Sequence, residues 1–139
     1  MQPEILFRVG DEWRKCETLD DFRLFHSLRI SREYLEAIQR GRVSVTAGGV
    51  EFQMPITDTD ISRLDGAIRY NETTGAQEMY ITDADNVTHY GISISDAKSV
   101  LLAMMQEAYG LHASKQAARQ AISGAQTVEE MEVVTLGNI

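Results

Sequence analysis

Between Met79 and Gly91 the chain reads MYITDADNVTHYG. Asp83, Asp85 and Asn86 present side-chain oxygens at a spacing that suits a hard cation such as calcium. A helix–loop–helix calcium loop counted from Asp83 requires glycine at its sixth position and a bidentate glutamate at its twelfth. Thr88 and Ile94 stand there instead. The flanks, with Tyr80 and Ile81 before and Val87, His89 and Ile92 after, carry strand-favouring side chains. Aspartate and asparagine also tolerate left-handed backbone angles and bond to nearby amides. Asp83, Asp85 and Asn86 therefore read as a structural turn between two strands, with no metal.

Other side chains capable of chemistry are dispersed. His26, His89 and His112 fall in three different expected elements, and no two share a metal-ligand spacing. Cys16 is the single cysteine, which excludes an intrachain disulfide and reads as a half-buried residue at a strand end. No G-x-S-x-G occurs. The adjacent glycines of AGGVEF lack the spacing of a phosphate or dinucleotide loop. The acidic pairs Asp20-Asp21 and Glu129-Glu130 stand at expected helix starts, where the helix dipole stabilises negative charge. No catalytic residue and no cofactor is expected.

The 139 residues carry a net charge of −8, with 43% hydrophobic and 24% charged side chains. Such a chain can form a core and is repelled by phosphate backbones, so nucleic acid is not an expected partner. No apolar run reaches the length of a membrane span. The N-terminal MQPEILFRVGDEW lacks the pattern of a secretion signal, and the chain is expected to be cytosolic when made.

The elements that hold these residues follow from periodicity. EILFRVGDEWRKC reads as a hairpin turning at Gly10-Asp11, with Ile5, Phe7 and Val9 on one side and Trp13 as a packing anchor. Thr18 starts a helix with Leu19, Phe22, Phe25 and Leu28 on its apolar face. Ser31 caps a second helix that ends at Gly41. Val43 and Val45, then Val50, Phe52 and Met54, form a hairpin around Gly48-Gly49. Thr57 and Asp60 frame a short helix bearing Ile61, Leu64 and Ile68, and NETTG at 71–75 is a turn. The last third is helical, and Thr127 to Glu130 forms a capping box for a short terminal helix. The fold class is α+β: small hairpins and short helices, then a long C-terminal helix and a short terminal one. Segment 1–42 is expected to be an N-terminal hairpin and two-helix piece, and 43–139 the main domain, the two together allowing one compact unit.

Within the long helix, Ala97, Leu101, Met104, Ala108, Leu111, Lys115, Ala118 and Ile122 alternate spacings of four and three. That is a heptad seam. It has two readings, a helix packed on its own domain or self-association between chains. A 29-residue helix is roughly 43 Å long, against about 30 Å for a compact domain of this size. Part of the helix should therefore project beyond a compact domain, and a projecting apolar seam needs a partner, so these positions stand as a candidate oligomerisation seam.

The runs AGGVEF, ISRLDGAI, YITDADNVTHYGISISDAKSVLLAM and KQAARQAISGAQTVEEMEVV together resemble an uncharacterised domain of tail-fibre and tail-assembly proteins of tailed bacteriophages. The likeness covers roughly 43–134. It implies a non-enzymatic protein of the phage tail tip, located in the virion, that attaches a fibre or receptor-binding protein to the baseplate. The alternative it leaves open is a fibre-assembly chaperone acting in the host cytoplasm and absent from the particle. Either way the implied partners are tail-fibre, receptor-binding or baseplate proteins, and because fibre proteins are commonly trimeric the resemblance also implies a homo-oligomer, with a trimer favoured.

Overall fold

In the computed structural model, which describes residues 5–137, the chain is an α+β protein. Hairpins β1–β2 (Leu6–Val9, Glu12–Lys15), β3–β4 (Arg42–Ala47, Val50–Pro55) and β5–β6 (Glu78–Thr82, Thr88–Ser93) are each antiparallel. The helices are α1 (Leu19–Arg40), α2 (Asp58–Thr73), α3 (Ile94–Gly124) and α4 (Val128–Glu132). Tertiary contacts group the chain into two compact units. One holds the described parts of Met1–Leu35 and His112–Ile139, the other Glu36–Leu111. The dividing points thus fall inside α1 and α3, whereas the expected boundary lay at 42/43. Of the N-terminal segment read for a secretion signal, 1–4 lies outside the described residues.

The helix starts are chemical. Thr18 Oγ1 accepts from Asp21 N at 3.2 Å, and Asp21 Oδ2 accepts from Thr18 N and Glu17 N. Those backbone bonds hold the Asp21 carboxyl below its ordinary range. Thr57 and Thr127 cap α2 and α4 in the same way, accepting from Asp60 N and Glu130 N.

Three readings of the chain change. The helix expected to restart at Ser31 is one continuous α1. No glycine or proline interrupts 19–40, and a serine inside a helix costs only tenths of a kcal/mol, roughly, too little to break it. The expected turn at 71–75 is mostly helix. Asn71 Nδ2 and Thr73 Oγ1 donate back to Ala67 O and Arg69 O, so these polar side chains join the last turn of α2. Gly75, at φ 77°, then closes a Schellman motif, with Gly75 N on Glu72 O and Ala76 N on Asn71 O. Finally, Trp13 is no anchor. It is 68% exposed, on a strand whose residues are all exposed.

In the unit Glu36–Leu111 the core is Val45, Ala47, Phe52, Met54, Ile56, Leu64, Ile68, Met79, Ile81, Ile92, Ala97, Val100, Met104 and Leu111. Hairpin β3–β4 turns at Gly48 and Gly49, both at positive φ. In the other unit the buried set includes Phe7, Ile30, Ala118, Ile122, Met131 and Leu136. There Arg29 of α1 ties down α4, donating from Nη2 to Met131 O at 3.3 Å and Val134 O at 2.9 Å. Arg23 donates to Ala125 O at 2.9 Å.

Candidate functional site

The expected turn is found. Asp83 O accepts from Asn86 N, and Asp83 N donates to Val87 O. Asp83 Oδ1 accepts from both Asp85 N and Val87 N, at 2.8 and 3.0 Å. Asn86 takes the left-handed angle, φ 63°. Asp83 Oδ2 lies 2.7 Å from His89 Nε2, and that ring stacks on Phe52 at 4.1 Å. The histidine bond and the amides of Val87 and Asp85 hold the Asp83 carboxyl below its ordinary range. Asp85 pairs with Arg42 at 2.8 Å, and Ala84 N donates to Gln53 O. The Asp83 oxygens are thus engaged within the hairpin itself, while the Arg42–Asp85 pair, the Ala84–Gln53 bond and the Phe52–His89 stack fasten β5–β6 to β3–β4. Among the described residues no group of three His, Cys, Asp or Glu is arranged to hold a metal.

The positions of the expected oligomerisation seam are largely covered within their own chain. Ala97, Met104, Leu111, Ala118 and Ile122 are at most 5% exposed, and Leu101, Ala108 and Lys115 are half-buried. Lys115, the polar member, sits over the Tyr34 ring at 4.4 Å, a cation–π contact. Its charge thus meets the negative face of the ring. The exposed apolar stripe of α3 is displaced by one position: Leu102, Met105 and Tyr109, 55%, 49% and 73% exposed.

A different cluster meets the description of a binding site, and the sequence reading passed over it. In β5–β6 Met79 pairs with Ile92 and Ile81 with His89, so Tyr80 alone faces both Tyr90 and Gly91. This is a β-bulge, and Gly91 adopts φ 70° within it. In a regular strand Tyr90 and Ile92 would share a face. The bulge separates them: Ile92 is 2% exposed and Tyr90 is 79% exposed. Tyr90 thereby stands beside Tyr80, ring centroids 6.1 Å apart and tilted by 48°. Tyr70, on the last turns of α2, completes the set at 69% exposure. The Schellman closure at Gly75 returns the chain directly into β5 and so sets α2's end beside that strand.

The three rings line an open cleft of about 500 Å³ with Glu78, Asn71 and Gly91. Glu78 makes no ion pair among the described residues, nor do the three hydroxyls bond to any of them. Glycine inside a strand pattern signals a bulge or a close approach. Gly91, one residue after Tyr90, was the signal that could have found this site.

Among the described residues no helix is long and apolar enough to cross a membrane. No curated protein and no solved structure matches the chain. Residues 30–135, which span both the tyrosine cluster and the Asp83 turn, match the family described as Domain of unknown function (DUF4376). The chain belongs to that family.

Proposed function

We propose that the protein is a non-enzymatic structural component of a bacteriophage tail tip, binding a fibre, receptor-binding or baseplate protein through the face formed by Tyr70, Tyr80 and Tyr90. The observation that carries the binding role is the exposure of three tyrosines around one cleft, held on a bulged hairpin. Tyrosine supplies large, rigid contact area at low conformational cost and is enriched at interaction hot spots. The tail assignment rests on the sequence likeness over 43–134. Self-association is assigned to the exposed stripe Leu102, Met105 and Tyr109 in place of the buried seam. Its spacing of three and four matches what two helices need to pack.

The test is mass spectrometry of gradient-banded virions of the parent phage, with copy number. A fixed small count, a multiple of three or six, supports a tail-tip part. Absence from particles, with recovery from infected lysate on a fibre protein, assigns the chain to fibre assembly instead.

A further inference from the structure

We propose that the cleft between Tyr70, Tyr80 and Tyr90 is an arginine-binding site, taking the guanidinium of a partner protein's side chain with Glu78 as its counter-charge. This deepens the binding role assigned above and rests on that face being the docking surface. Four observations lead to it. First, the cleft is lined by three exposed tyrosine side chains, and aromatic rings attract cations. Second, Glu78 lines the same cleft and has no cationic partner among the described residues. An apolar occupant would cover that carboxylate without compensation, which is unfavourable. Third, the unit Glu36–Leu111 holds eleven acidic and five basic residues. Four of the five bases are already paired: Arg40 with Glu36, Arg42 with Asp85, Arg69 with Asp65 and Lys98 with Glu72. The field at the cleft therefore favours a positive partner and disfavours phosphate.

The fourth observation selects arginine over lysine. The Tyr80 and Tyr90 rings are tilted, 6.1 Å between centroids, and form an open wedge rather than a closed cage. A planar guanidinium lies flat on one wall of such a wedge while its edge donates two bonds to a carboxylate. An ammonium is a compact, strongly hydrated point charge and gains less from an open site.

The experiment is a ¹⁵N-resolved NMR titration of the full chain with three capped peptides, identical except for a central arginine, lysine or citrulline. The expected result is that the arginine peptide shifts the amides around Tyr70, Glu78, Tyr80 and Gly91. The citrulline peptide, isosteric but neutral, should leave them in place. Glu78→Gln should weaken the arginine response at least about tenfold, and Tyr90→Ala should do so independently. The spectrum of each variant elsewhere reports whether it is folded. Arginine-induced shifts scattered over the acidic surface, or equal responses to arginine and citrulline, overturn the proposal. So does a response to an oligosaccharide probe at these amides without one to arginine. Because the titration uses purified protein, its outcome is independent of whether the chain is found on virions.

Discussion

Arg29 Nε donates to His26 Nδ1 across 3.1 Å, one turn along α1, while its Nη1 meets Glu33 and its Nη2 reaches Met131 O and Val134 O. One guanidinium thus joins α1 to both the end of α4 and the segment after it. Lysine has a single terminal nitrogen and cannot reproduce the fork. Arg29→Lys should lower unfolding stability by about 1.5–3 kcal/mol. Urea denaturation measures this, and an unchanged midpoint would show that the clamp contributes nothing.

The same bond makes folding sensitive to acid. Since Nδ1 accepts from Arg29, neutral His26 carries its proton on Nε2, which is buried without a partner among the described residues. Burial, and then the Arg29 charge, depress the imidazole's affinity for a proton, with Glu132 on α4 acting in the opposite sense. The unfolded chain therefore binds this proton more readily than the folded one. Stability is fully present above the ordinary imidazole value of about 6.5 and declines as pH falls below it, towards the lower folded value. His26→Phe should flatten that limb of the stability–pH curve. An unaltered limb would assign the acid sensitivity to other groups.

Asp83 acts in a lower window. Its carboxyl is held below the ordinary range by His89 and the turn amides, so its contribution is present above that range and lost as pH falls through the folded value. Asp83→Asn keeps an acceptor for the two amides but gives up the charged partner of His89. It should remove this acidic limb while the hairpin survives in circular dichroism. Calcium, or a chelator, should leave the melting temperature unchanged. A calcium-dependent rise would establish a cation site at the turn.

The two stripes of α3 should respond differently to charge. Leu111→Asp places a carboxylate at a site 4% exposed and should cost more than about 3 kcal/mol, unfolding the chain. Leu102→Asp, at a site 55% exposed, should leave the fold intact and weaken the self-association proposed for this stripe. Sedimentation and circular dichroism together separate the two effects. A folded Leu111→Asp protein of smaller size would restore the buried seam as an interface between chains.

Gly91 carries the bulge at φ 70°, where any side chain with a Cβ is strained. Gly91→Val should cost about 1–2 kcal/mol and disturb the Tyr80–Tyr90 pair. Thermal melting reads the first effect. The arginine titration reads the second, and a variant that retains full peptide response would show that the bulge does not organise the cleft.

Local chemistry made much of this protein legible from its residues. Paired glycines at Gly48-Gly49, the threonine caps at Thr18, Thr57 and Thr127, and the Asp83–Asn86 turn are short-range devices. Each partner lies within four residues, so the chain carries its own instructions there. The α+β class follows from the same signals. Sequence also located the α3 seam by its spacing but could not say what covers it, because period reports a face and not its neighbour. That Ala97, Met104, Leu111, Ala118 and Ile122 are buried while Leu102, Met105 and Tyr109 are exposed was decided by tertiary packing. So was the tyrosine cluster. Tyr70, Tyr80 and Tyr90 belong to three different elements. They meet only because a bulge reverses one strand's alternation and a Schellman turn sets the end of α2 beside it. Such long-range coincidences leave little trace in local spacing, since the residues that create them and the residues they bring together are separated along the chain.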